Sequence, residues 1–176
     1  MKVFIDLDGV LANFVQAACD VHGIPNPYHN PENFGNFNMA QVTGMSNNQF
    51  WKPLQGHSFW TNLPLHDDAH AILANVEARF RQEDIAFLTA NSRDPFSASG
   101  KLSWVQKHFP KYVRRVIITP AKHFIAHSET LLIDDRDKNC EDFYSEGGRC
   151  ILLPRPWNSA HAEHTLSTIT QHLNWY

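Results

Sequence analysis

Val3-Phe4-Ile5-Asp6-Leu7-Asp8-Gly9-Val10 runs an apolar strand straight into two carboxylates one residue apart and then a glycine turn. A continuously apolar strand at the very start of a chain suits the interior of a sheet covered on both faces. In an extended strand residues i and i+2 face the same side, so Asp6 and Asp8 are expected to crowd like charges, an arrangement that a metal ion or a proton has to stabilise.

Similar short apolar runs recur at Ile85 to Thr89, Val116 to Thr119, Leu131 to Asp134 and Cys150 to Leu153. Stretches of helical period separate them. Ala69, Ile72, Leu73, Val76 and Phe80 form the clearest, after Asp67 and Asp68; Leu102, Val105 and Phe109 mark a second, and Leu166, Ile169 and Leu173 a third. Strands alternating with helices predict an α/β fold, a Rossmann-like open parallel sheet. Residues 14–64 break the rhythm: short aromatic helices at Phe14 to His22, Met39 to Thr43 and Asn47 to Trp51 flank a loop rich in Asn and Pro from Pro25 to Asn38. The expected division is a core of residues 1–13 and 65–176, with residues 14–64 inserted after the first strand as a small helical cap.

With 15 Lys and Arg against 18 Asp and Glu, the formal charge of −3 gives no field for a nucleic acid polymer. Cys19, Cys140 and Cys150 show no CxxC spacing, so neither a disulfide framework nor a zinc ribbon is expected. No run approaches the roughly 18 apolar residues of a membrane span, and no secretory leader is evident. A cytoplasmic protein acting on a small molecule is the reading, without membrane association; a homodimer is compatible with it, though the sequence does not report oligomeric state.

Ligands of open α/β sheets bind at the carboxyl ends of the strands. Four such ends carry chemistry: Asp6 and Asp8, then Thr89, then Lys122, then Asp134 and Asp135. A carboxylate can attack phosphorus only where a divalent cation and a nearby ammonium offset the repulsion between anions. Asp6 with Asp134 suits Mg2+, which prefers oxygen ligands, and Lys122 supplies the ammonium. Asp8 is placed to protonate the leaving alkoxide and later to activate water. Asp135 is open between a metal-bound water and a pair with Lys122 or Arg136. His66 with His70, and His161 with His164, read as solvated helix faces, and Gly147-Gly148 as a helix-to-strand turn.

In their order, Asp6-Leu7-Asp8-Gly9-Val10, Leu88-Thr89, Lys122 and Leu131-Leu132-Ile133-Asp134-Asp135 resemble the four motifs of the haloacid dehalogenase-like (HAD) phosphohydrolases. A closer resemblance is to the 5'(3')-deoxyribonucleotidases. It rests on residues 6–14, on Phe59-Trp60-Thr61-Asn62-Leu63-Pro64, on Lys101 to Phe109 and on Leu132 to Arg136. The resemblance implies a Mg2+-dependent phosphomonoesterase that dephosphorylates nucleoside monophosphates, deoxyribonucleoside 5'-monophosphates first among them, through an aspartyl-phosphate. Asp6 would be the nucleophile and Asp8 the acid/base, with the Asp8 backbone carbonyl, Asp134 and Asp135 around the metal. Thr89, Lys122 and Lys101 would bind phosphate, although Lys101 taken alone reads as a solvated helix residue. Phe14, Phe37 and Trp60 would bind the base, which core packing of a small cap would also explain.

Ala90-Asn91-Ser92-Arg93 departs from the family's serine and proline after the threonine, and Arg93 or a backbone N–H is the expected replacement for the missing phosphate contact. The alternatives are a phosphatase for sugar phosphates or phosphoserine, and a non-enzymatic phospho-Asp module. Receiver domains share the residue types of that module but place the acidic pair ahead of the phosphoacceptor, whereas here Asp134-Asp135 follows Lys122.

Overall fold

The computed structural model describes all residues, 1–176. Five strands form one parallel sheet: β1 (Lys2–Ile5), β2 (Ile85–Thr89), β3 (Val116–Ile118), β4 (Thr130–Asp134) and β5 (Arg149–Leu152), in the order β3-β2-β1-β4-β5. All four neighbouring pairs are parallel. The expected open α/β sheet is therefore present, with each strand within a residue or two of its apolar run.

Alternation of side chains along the strands gives the sheet two apolar faces. Val3, Ile5, Phe87, Leu131, Ile133 and Ile151 face a large core shared with α5 (Ala69–Glu77), α6 (Phe96–His108) and α8 (Thr165–Leu173). Phe4, Leu88, Leu132 and Cys150 face Phe143 and Cys140 of α7 (Asp137–Ser145). Of the three residues that marked α6 in the sequence, Val105 and Phe109 are buried as expected and Leu102 is not. Leu102 is exposed, while Lys101, Trp104 and Val105 point inward, because the helix begins at Phe96 and docks on the aromatic segment before α5. Phe80 lies beyond the end of α5, yet still packs on the core.

Residues 14–64 contain α1 (Phe14–His22), α2 (Met39–Val42), α3 (Asn47–Trp51) and α4 (His57–Thr61), with 3-10 turns at Pro27–His29 and Pro31–Asn33 inside the stretch expected as loop. Asn13 caps α1 by accepting from the Gln16 amide, and Ser46 with Gln49 forms a capping box on α3. Val15, Ala18, Tyr28, Met39, Phe50 and Leu54 make a separate apolar cluster, which Trp157 joins from beyond β5. Helix α4 was not foreseen. It packs on α6 with Trp60 and Leu63 in the main core, and Gly100 is needed there, since a Cβ would sit 2.5 Å from the Trp60 Cβ.

Cys140 and Cys150 are joined by a disulfide, which corrects the expectation drawn from their spacing. The Gly147-Gly148 turn folds α7 back onto β5 and brings the two Cα atoms to 5.3 Å. Tertiary packing rather than a local motif sets that pairing. Cys19 is free and buried. No helix is long and apolar enough to cross a membrane.

Candidate active site

The chain leaves β1 outward to β2 and β3, then returns to β4 on the other side of β1. The carboxyl ends of β1 and β4 thus flank a topological switch point, where open sheets bind ligands. Ile5 pairs in register with Ile133, which sets Asp6 beside Asp134.

The two carboxylates of the opening motif lie beyond the end of β1, and the charge of Asp6 still acts on Asp8. The strand stops at Ile5, and the backbone turns through Leu7 and Asp8 to close a loop in which the Ala12 carbonyl accepts from the Gly9 amide at 2.8 Å. Each acid therefore meets its own lysine. Lys122 Nζ lies 2.9 Å from Asp6 Oδ2 and 2.6 Å from Asp134 Oδ2. Burial alone would push the Lys122 ammonium down, but Asp134 and Asp6 outweigh it and hold the group above its ordinary value. Lys101 Nζ donates to Asp8 Oδ2, to the Ala90 carbonyl and, at 3.1 Å, to Thr89 Oγ1. At 2% exposure Lys101 is no solvated helix residue, correcting the plainer reading of it.

Asp6, Asp134 and Asp135 are all buried, with carboxylate oxygens lying within 4.8 Å of one another. Asn139 donates to both oxygens of Asp134 at 3.0 Å. Asp135 pairs with neither Lys122 nor Arg136, as had been considered; its Oδ2 accepts from the Trp157 indole at 2.6 Å. Arg136 instead lies over the Phe37 ring. Burial pushes the carboxyls of Asp134 and Asp135 up, Asp135 well above the usual range because Asp134 and Asp6 add their charges. Three crowded acids touched by one ammonium leave negative charge uncompensated, and an all-oxygen donor set fits a hard divalent cation.

A cavity of about 380 Å³ opens above this floor. Asp8, Lys101 and Asp135 lie at its base, and Phe14, Tyr28, Phe37, Trp51, Trp60 and Trp157 form aromatic walls. Phe14 sits between Trp51 and Trp60, with ring centroids 5.6 and 5.9 Å away. Trp60 is fixed by its indole bond to Asp94 Oδ2 at 3.1 Å, and Asp94 also accepts from the Gly56 amide. Asp8 Oδ1 is buried with no hydrogen-bond partner. Burial raises the Asp8 carboxyl above its ordinary value, only partly offset by Lys101.

A model of the family described as "5' nucleotidase, deoxy (Pyrimidine), cytosolic type C protein" matches residues 1–172. The chain belongs to this nucleotidase family. Its members are phosphoric monoester hydrolases, and so is this chain. No curated protein matches it. Among solved structures, a HAD family enzyme from Bacteroides thetaiotaomicron in complex with magnesium and inorganic phosphate is 15% identical, with a TM-score of 0.44 over 93% of this chain and 98% of that one. Its magnesium complex is 16% identical, with a TM-score of 0.45 over 92% and 96%.

In this nucleotidase the structure brings Asp6, Asp8, Thr89, Lys101, Lys122, Asp134 and Asp135 to one sheet edge, with Phe14, Phe37 and Trp60 on the cavity above. Arg93 is exposed and outside the cavity lining, to which Ala90, Asn91 and Ser92 contribute instead. His66 precedes α5, where burial followed by the Arg155 charge pushes its imidazole down to about 3. It is therefore not on a solvated helix face, and neither are His161, in a turn, and His164, which caps α8. Arg155, Trp157 and Asn158 had not been singled out. Their signal was available: a fifth strand end, followed by Pro154-Arg155-Pro156-Trp157-Asn158.

The acid cluster carries a prediction about stability. Carboxyls whose folded pKa exceeds the unfolded value near 4 bind more protons in the folded state, so their contribution is full below that value and is lost as pH rises through the raised folded pKa. The metal-free protein should lose stability over that window, and Asp135→Asn should flatten the loss. Mg2+ at a hundredfold excess over its Kd should restore ~2.7 kcal/mol, a rise in Tm of about 5–10 °C for a domain of this size. Thermal melts across pH, with and without Mg2+, check this; a Tm indifferent to Mg2+ at neutral pH contradicts it.

Proposed function

We propose that the protein dephosphorylates nucleoside monophosphates, deoxyribonucleoside 5'-monophosphates first, by phosphoryl transfer to Asp6 in the presence of Mg2+. The observation that carries this reading is the cavity itself: an acid and a cation at its base, and rings spaced along its walls. A phosphate seated on the base would place a nucleobase among Phe14, Phe37, Trp51 and Trp60, where stacking is worth roughly 1–3 kcal/mol per base. A sugar phosphate would forgo most of that.

Mg2+ would be held by Asp6, Asp134 and Asp135 with the Asp8 backbone carbonyl, and would supply neutralising charge to the phosphoryl oxygens and Asp6. Asp6 attacks phosphorus in line; the P–O bond to the nucleoside breaks, and Asp8 delivers its proton to the departing 5'-oxygen. The raised Asp8 carboxyl suits that role, being a half-buried acid that keeps its proton to higher pH. Asp8, now ionised, takes a proton from water, whose oxygen attacks phosphorus and releases Asp6 and phosphate. Lys122 pairs with Asp6 and fixes its carboxylate in place, and Lys101 orients Asp8 while presenting an ammonium toward the phosphate, with Thr89 behind it. Residues 14–64 act as the cap that excludes water from the cavity. The family's cytosolic description supports a cytoplasmic site of action.

A panel of deoxy- and ribonucleoside monophosphates, with sugar phosphates and phosphoserine, compared by kcat/KM in Mg2+ and in chelator, tests the substrate class. Deoxyribonucleoside 5'-monophosphates should lead. Equal values for sugar phosphates would reduce the reading to a phosphatase without base recognition.

A further inference from the structure

Arg155 is 8% exposed and makes every bond it can inside the protein. Its Nε donates to the Gly9 carbonyl at 2.6 Å and Nη2 to the Val10 carbonyl at 3.0 Å. The remaining N–H groups engage Asp68 through Nη1 at 2.8 Å and Nη2 at 2.9 Å, and Thr165 Oγ1 through Nη1 at 3.4 Å. A buried guanidinium normally answers a carboxylate or phosphate; here two of its five N–H donors go to backbone carbonyls, both in the loop immediately after Asp8.

The same segment reaches the other acid-bearing strand end. Trp157 donates to the Asp135 carboxylate, and Asn158 Nδ2 to the backbone carbonyls of Asp135 at 2.8 Å and Leu153 at 2.7 Å. Asn158 Oδ1 accepts from the Arg155 amide at 3.3 Å, so the two grips are tied together. Between them the loops touch closely: a Cβ on Gly9 would fall 2.0 Å from Asp135 Oδ2. The spacing between the β1 loop and the β4 end is thus set from outside by residues 155–158, none of which is an acid of the site.

We propose that Arg155 is a positioning residue for Asp8, and that the segment Arg155 to Asn158 is a brace aligning the Asp8 loop with Asp135. This rests on the proposed hydrolysis of nucleoside monophosphates with Asp8 as acid/base. Lysine at 155 keeps the charge facing Asp68 but, as a point donor, cannot span Asp68 and both carbonyls. Arg155→Lys should keep the fold and KM while lowering kcat about 10–100-fold, the usual cost of losing a residue that orients a catalytic group. Guanidinium ion, and not ammonium, should partly restore kcat to Arg155→Ala.

A readout independent of turnover is the backbone amide resonances of Asp8 and Gly9, which should shift in Arg155→Lys while those of β3 stay in place. An unaltered kcat in Arg155→Lys, or unshifted Asp8 and Gly9 amides, overturns the brace. Wild-type protein that hydrolyses no phosphomonoester overturns the functional reading alone, and the amide shifts then decide the brace.

Discussion

Replacing Asp6 by Asn should lower kcat by about ten-thousandfold or more, the scale on which removing a covalent nucleophile acts, and should leave the fold intact. Asn is nearly isosteric, and the Leu7 amide that donates to Asp6 Oδ1 at 2.8 Å keeps its acceptor. What is lost is the carboxylate oxygen proposed to attack phosphorus. The paired Lys122 still has Asp134 at 2.6 Å, so no buried ammonium is stranded and stability changes little. Phosphate release and a thermal melt on the same preparation separate the two effects. Turnover within tenfold of wild type would remove Asp6 from the chemistry.

Gly9→Ala has a different origin and hits both stability and activity. Gly9 sits at φ +78°, in the left-handed region, which costs a residue with a Cβ about 1–2 kcal/mol. The Cβ would also arrive 2.0 Å from Asp135 Oδ2 and 2.5 Å from its Cγ. Asp135 cannot retreat without breaking its bond to Trp157, and the loop cannot lift without leaving Arg155. The expected loss is ~3 kcal/mol or more, in the upper range of single substitutions, with Asp8 and Asp135 driven apart and kcat falling about 10–100-fold in the folded fraction. Denaturant melts with single-turnover kinetics check both. A Gly9→Ala protein of wild-type stability would mean that the loop and Asp135 are not held as tightly as their contacts imply.

Much of this site was legible in the sequence, because parallel strands are marked by apolar runs and their carboxyl ends converge on one edge. Asp6, Asp8, Thr89, Lys122 and Asp134 followed from that rule. Lys101 did not, since its neighbour Leu102 carries the apolar signal while Lys101 is the one that turns inward. Its burial depends on Asp8, Thr89 and the Ala90 carbonyl offering it partners, and those are tertiary. Helix α4 was missed for a related reason: its five residues are too few for a periodic pattern and are held by α6. The Cys140–Cys150 bond and the Arg155 brace likewise depend on one element folding back on another. The i, i+2 argument for Asp6 and Asp8 reached these two residues by an inexact route, because β1 ends before either of them.

Covalent capture tests the central claim most directly. In Asp8→Asn the group proposed to activate water is gone, so a 32P-labelled deoxyribonucleoside 5'-monophosphate with Mg2+ should leave label on the protein after rapid acid quench, and tritiated borohydride, which expels the phosphate and reduces the aspartyl-phosphate to homoserine, should place tritium on the peptide containing Asp6. Label at another residue, or none on a protein that still releases phosphate, would contradict phosphoryl transfer to Asp6.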